Sequence, residues 1–243
     1  MNYKLRFSQY NERSILVEWP AVVDENMLGD VLNFKEEIKR KYVKLIVEVV
    51  SAYNSILIIY AYTIEDVNDR FLDLKRLYLS REINIEVKPK TYKIPVCYED
   101  EYAMDLETYA DEKKQSKSAV IRLHTETIYT VFFIGFLPGF LYLGGLDSRL
   151  HLDRKITPNL NVKKGAVGIG GKQTGIYPQD SPGGWHIIGN SPVELFNPKH
   201  SPPCFINAGD RIQFYAISVS EYHDLKNEIA LSNFDSKTLL IHD

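Results

Sequence analysis

The chain has 243 residues, 44% hydrophobic and 25% charged, which fits one large or two small globular domains and excludes a disordered chain. A net charge of −3 marks no nucleic-acid or anionic-membrane partner. No apolar run approaches the ~20 residues of a membrane-spanning helix, and MNYKLRFSQY holds no signal-peptide core, so a cytoplasmic protein is expected.

In chain order, residues 4–10 and 14–19 read as two short strands around the polar turn Asn11–Glu12–Arg13. A helix follows, capped by Asp24, with Met27, Leu28, Val31, Phe34 and Ile38 at helical spacing. Residues 45–53 and 56–62 are apolar and β-branched, a hairpin linked at Asn54–Ser55. A second helix is expected from Thr63, with Val67, Phe71, Leu74 and Leu77 or Tyr78 as its buried stripe. A strand over 83–88 closes the pattern ββαββαβ, an α+β sandwich with helices on one sheet face. This half shows no catalytic cluster and reads as a scaffold or docking domain.

Pro89 and Pro95 bracket a boundary, giving domains 1–90 and 91–243. Beyond it, IPVCY reads as a strand, and residues 105–124 as one or two helices with Ser116 as a cap. Residues 128–134 (IYTVFFI) form a strand. Short strands with frequent turns follow (AVGIG, GIYP, WHIIG, VELF, RIQFYAI), the pattern of a β-barrel or sandwich. A short helix fits 221–231. Cys97 and Cys204 are two thiols without a metal-ligand set, idle or joined in one disulfide. No metal site is expected.

Glycine is distributed unevenly. Of 14 glycines, 12 lie between Gly135 and Gly189, and eight of 11 prolines lie between Pro138 and Pro203. Gly-Pro loops with exposed backbone N–H groups can shape a rigid cleft for an anion. Gln173, Thr174, Tyr177, Ser181 and Trp185 are interleaved with these glycines. GAVGIGGKQT is not a phosphate loop, because Lys172 is followed by Gln173 rather than Ser or Thr. The chain contains neither HExxH nor GxSxG.

The blocks GFLPGFLYLGGLD, AVGIGGKQTGIYP and SPGGWHIIG resemble the signature blocks of the 5-oxoprolinase B-subunit family, also called KipI-like or allophanate hydrolase subunit 1. The resemblance is strongest over about residues 134–198. It implies a cyclophilin-like β-barrel in the C-terminal half. It also implies two partners, a KipA-like C-type subunit and a LamB/YcsF-like A-type subunit. Such complexes couple ATP hydrolysis to opening of the 5-oxoproline lactam, with ATP as co-substrate of the complex and the single chain inactive. Other members are described as inhibitors of a sensor histidine kinase, or act on a urea- or allophanate-like amide.

Under the resemblance the catalytic candidates are His124, Arg154 and Gln173. His124 is a general acid/base or a helix-end residue satisfying terminal carbonyls. Arg154 falls where the family has an arginine that can clamp a carboxylate or phosphoryl group. Gln173 and Thr174 offer neutral donors and acceptors suited to a lactam. Tyr177, Ser181, Gly183, Gly184, Trp185, Phe136 and Pro138 are the substrate-binding candidates. Tyr177 can equally be a core aromatic, and Phe136, Pro138 and Phe140 a wall or an inter-subunit surface. His186 is read as solvated. Asn159 and Asn190 stand where the family pattern has arginine, Ala166 where it has serine, and EDEYAMD where it has an FGPD-like segment. Each lost charged hydrogen bond is worth about 1.5–3 kcal/mol.

Overall fold

The computed structural model describes residues 3–22, 24–81, 89–231 and 234–241. They group into two compact units, Met1–Lys88 and Pro89–Asp243.

The first unit contains β1 (Arg6–Asn11), β2 (Ser14–Glu18), α1 (Glu25–Tyr42), β3 (Ile46–Ser51), β4 (Ser55–Tyr60) and α2 (Val67–Ser80). The four strands form an antiparallel sheet in the order β1-β2-β4-β3. Strand alternation sends Ile15, Val17, Ile56 and Ile58 to one face, where they share a core with Val31, Phe34 and Ile38 of α1. The Asp24 carboxylate accepts from the Met27 N–H and caps α1.

Helix α2 starts at Val67 rather than near Thr63. The Asp66 carboxylate accepts from the N–H groups of both Asn68 and Asp69, and a charged acceptor suits the positive end of the helix dipole. Ile64 is meanwhile drawn to the first hairpin, its N–H donating to the Glu12 carbonyl. The strand expected over 83–88 lies outside the described residues. At the end of α2, buried Arg81 pairs with Asp30, which also accepts from the Tyr78 hydroxyl at 2.6 Å and the Trp19 indole N–H at 2.8 Å.

The second unit opens with β5 (Thr91–Cys97), α3 (Leu106–Glu112), α4 (Lys117–Glu126), β6 (Ile128–Ile134) and β7 (Leu141–Gly144). It continues with β8 (Asn159–Val162), β9 (Ala166–Gly170), β10 (Gln173–Ile176), β11 (Ser181–Gly183), β12 (His186–Asn190), β13 (Arg211–Ile217) and α5 (Val219–Ala230). Seven strands close a barrel in the order β10-β7-β6-β13-β5-β12-β9. Its pairs are antiparallel except β5 with β13, which run parallel in register from Thr91–Arg211 to Cys97–Ile217. Strands β8 and β11 form a separate two-stranded ribbon. The barrel core includes Ile94, Val131, Leu143, Ile169, Ile188 and Phe214.

The 105–124 region resolves into two helices because Ser116 caps the second, accepting from the Ala119 N–H. VELF is a loop rather than a strand. Val193 and Leu195 still pack into the barrel core, so their alternation reflects burial without ladder pairing. Both cysteines are free, Cys97 buried and Cys204 half-buried. Burial pushes both thiols above their ordinary pKa. Among the described residues no helix is long and apolar enough to cross a membrane.

Candidate functional site

A pocket of about 280 Å³ opens in the second unit, lined by Phe136, Phe140, Tyr142, Arg154, Pro158, Tyr177, Pro182, Gly183, Gly184 and Trp185. Its floor is aromatic. Phe140 meets Trp185 edge to face at 5.4 Å and Tyr177 at 5.2 Å, and Tyr142 meets Trp185 at 6.2 Å. Such T-shaped contacts favour a fixed arrangement of rings.

Several glycines in the rich stretch are seats for these rings. A Cβ on Gly170 would stand 2.5 Å from the Trp185 indole, and one on Gly183 would strike the Tyr177 hydroxyl. Glycine at these positions is required by close approach. At the mouth, Phe136 holds φ +68° and is 63% exposed. A bulky residue in the left-handed region is strained and is a pointer to function.

Arg154 supplies the charge. Its guanidinium lies 5.7 Å from the Trp185 ring centroid, within cation–π range. Its field reaches Tyr142 and Tyr177, where it opposes the upward pKa shift that burial imposes. The neighbours of Arg154 are both fastened. The His186 Nε2–H donates to the Asp153 carbonyl at 2.9 Å. The Lys155 N–H donates to the Gly184 carbonyl at 2.7 Å, and its ammonium to Asp105 at 2.5 Å. The other Asp105 oxygen accepts from the Ile187 N–H at 2.7 Å. The loop is thus pinned on both sides of an exposed guanidinium. His186, expected to be solvated, is 8% exposed, because its ring is used in this fastening.

The structure brings together Arg154, Phe136, Tyr177, Gly183, Gly184 and Trp185. Pro138 is exposed and does not line the pocket. Gln173 is half-buried at the start of β10, opposite Gly170, and Ser181 begins β11 with its Oγ buried and without a partner. Neither lines the pocket.

His124 and Thr174 are fully buried. Thr174 Oγ1 donates to the Gly168 carbonyl at 3.0 Å, so it accepts from His124 Nε2–H at 2.9 Å. His124 Nδ1 is then the acceptor for the Tyr98 hydroxyl at 2.7 Å. The imidazole stacks on Phe214 at 4.5 Å, and burial drives its pKa down to about 3. A neutral ring with both nitrogens occupied and no access to solvent is a barrel-core group. The general acid/base expectation for His124 is corrected on that ground.

Sequence reasoning overlooked Tyr142, Pro158 and Pro182 as lining residues. Tyr142 was detectable, since it follows Phe140 by two residues into a strand and so shares its face. Asn190 and Ala166 line a second pocket, of about 380 Å³. The Asn190 amide donates to the Lys164 carbonyl at 3.0 Å and accepts from the Tyr222 hydroxyl at 2.9 Å. Asn159 Nδ2 lies 3.3 Å from the Met104 sulfur.

GAVGIGGKQT forms the β9–β10 hairpin, with no helix after it. It therefore lacks the helix N-terminus that cradles a nucleotide phosphate. Among the described residues no group of three or more His, Cys, Asp or Glu side chains is placed to hold a metal.

Residues 5–206 match the family described as carboxyltransferase domain, subdomain C and D. The chain is 33% identical over 238 residues to the 5-oxoprolinase B subunit of Bacillus subtilis, covering 94% of this chain and 99% of that one. It is 40% identical over 175 residues to the 5-oxoprolinase B subunit of Haemophilus influenzae, covering 70% and 78%. The urea amidolyase of K. lactis superimposes with a TM-score of 0.80 over 96% of this chain at 21% identity, which shows a shared fold. The present chain spans 16% of that enzyme's length. The matched region and the near-full-length alignment to the Bacillus subtilis protein agree: the chain belongs to the 5-oxoprolinase B-subunit family.

Proposed function

We propose that this chain is the B-type subunit of an ATP-dependent 5-oxoprolinase complex in the cytoplasm, acting with A-type and C-type subunits to convert 5-oxoproline to glutamate. One observation carries the reading: the Bacillus subtilis protein named as the B subunit of 5-oxoprolinase aligns along 94% of this chain at 33% identity.

The pocket chemistry suits the substrate. Arg154 is the carboxylate clamp, and the aromatic lining of Phe140, Tyr142, Tyr177 and Trp185 takes the apolar side of a five-membered lactam. The backbone at Gly184 can approach the ring closely, since that residue carries no Cβ and lines the pocket. Ring opening adds water across the amide, breaking the C–N bond to leave a carboxylate and an amine. No nucleophile–base pair lines the pocket, so the chain alone is inactive and the reaction needs the assembly. Among the described residues GAVGIGGKQT offers ATP no helix-end phosphate cradle, and the nucleotide is assigned to the assembly rather than to this chain.

The test is reconstitution with the A-type and C-type subunits. The expected result is ATP-dependent release of glutamate from 5-oxoproline, with no turnover by this chain alone. ATP hydrolysis that ignores 5-oxoproline would overturn the assignment.

A further inference from the structure

The second pocket is separate from the Arg154 site in its lining. It is formed by α5, the segment after β5, the β8–β9 turn and the end of β12. Two of its lysines are neutralised: Lys163 pairs with Asp180 at 2.9 Å and Lys164 with Glu194 at 2.7 Å. Lys226 and Glu101 also line it. Among the described residues, neither has an oppositely charged partner within 4 Å, and they do not pair with each other. Lys226 instead stands 5.8 Å from the Tyr222 ring centroid, and the Tyr102 hydroxyl lies 3.5 Å from His223 Nε2.

Two charges of opposite sign, each without a counter-ion, complement a zwitterion on one concavity. The remaining wall is apolar or aromatic. Tyr102 and Tyr222 pack ring to ring at 4.2 Å, and Met104 is 60% exposed. Methionine adapts its shape to an apolar group. At the base, buried Asn190 has its amide oriented by Tyr222 and Lys164.

We infer that this pocket binds a free α-amino acid with an apolar side chain. Its carboxylate faces Lys226, its ammonium faces Glu101, and its side chain lies against Met104 and the tyrosine pair. The inference does not rest on the proposed lactam chemistry, and the two sites share no lining residue.

Calorimetric titration of the full chain tests it, using L-leucine, N-acetyl-L-leucine, L-leucinamide and acetate. L-Leucine should bind, and each derivative lacking one charge should bind at least about tenfold more weakly, the scale of one charged hydrogen bond. Lys226→Met and Glu101→Gln should each weaken L-leucine by about the same factor. Both residues are exposed, and circular dichroism should show the fold unchanged. Absence of L-leucine binding would overturn the inference. So would N-acetyl-L-leucine binding as well as L-leucine, or acetate binding that depends on Lys226 with no effect of Glu101→Gln.

Discussion

His124 Nε2–H donates to Thr174 Oγ1 at 2.9 Å inside a closed barrel. This bond joins α4 to β10, the strand that begins with Gln173. The hydroxyl of Tyr98 fills the other ring nitrogen, so protonation of His124 would displace a donor at a fully buried ring.

The pH dependence of stability follows. The folded pKa of His124 is depressed to about 3, below the ordinary value of about 6.5 in the unfolded chain. The unfolded state binds the extra proton between these values. The stabilisation is complete above about pH 6.5 and is lost as pH falls toward 3, at about 1.4 kcal/mol per pH unit. Urea unfolding between pH 7 and pH 4 should show this slope. His124→Phe should flatten it while costing about 1–3 kcal/mol at neutral pH, because the Tyr98 hydroxyl loses its acceptor. An unchanged slope in His124→Phe would exclude His124 as its source.

Arg154→Lys should raise the KM for 5-oxoproline in the reconstituted complex by about tenfold or more. An ammonium cannot reproduce a bidentate clamp. The residue is exposed, so the melting temperature should not move. Asp105→Ala should act on both quantities, since it frees Lys155 and an N–H of β12 together. A KM unchanged by Arg154→Lys would remove the guanidinium from substrate binding.

Gly170→Ala should displace the Trp185 indole, because the new methyl would stand 2.5 Å from it. Overpacking of this kind costs about 1–3 kcal/mol. The chain has two tryptophans, so a Trp19→Phe background isolates the signal. Fluorescence of Trp185 should shift on Gly170→Ala, and an unchanged spectrum would mean that the hairpin backbone yields instead.

Asp30→Ala should be among the most damaging single changes in the first unit. It leaves the buried Arg81 guanidinium without its carboxylate and strips the acceptor from Trp19 and Tyr78. Breaking one side of a buried pair costs about 3–5 kcal/mol. Chemical denaturation monitored by circular dichroism measures it.

The elements most legible in the sequence were those with a strong local signal. Asp24 and Ser116 cap helices where their side-chain oxygens predict it, and IYTVFFI is a strand at the expected bounds. The errors come from competing partners, near and distant in sequence. Thr63 resembled a cap, but Asp66 supplied two better bonds and Ile64 was held by Glu12. VELF alternates like a strand, yet its burial comes from lying against the barrel core as a loop. For the site, glycine density located the pocket but could not say why. That Gly170 and Gly183 seat Trp185 and Tyr177 depends on contacts 15 and six residues away in sequence. His124 showed the converse: its chemistry suggested catalysis, while enclosure by Tyr98, Thr174 and Phe214 came from three separate strands or their ends.

The parallel pairing of β5 with β13 bears on how the chain is made. The barrel's first and last strands are neighbours, and the tail adds a further bond, from the Ile241 N–H to the Thr91 carbonyl. Contacts between positions so distant are slow to form. On a ribosome, the first unit can complete its four-stranded sheet while the second is still growing. The second cannot close until residues 211–217 have left the exit tunnel, so β5 waits with an unpaired edge through most of its own domain's synthesis. Until then the edge of β5 is the one most open to pairing with another chain.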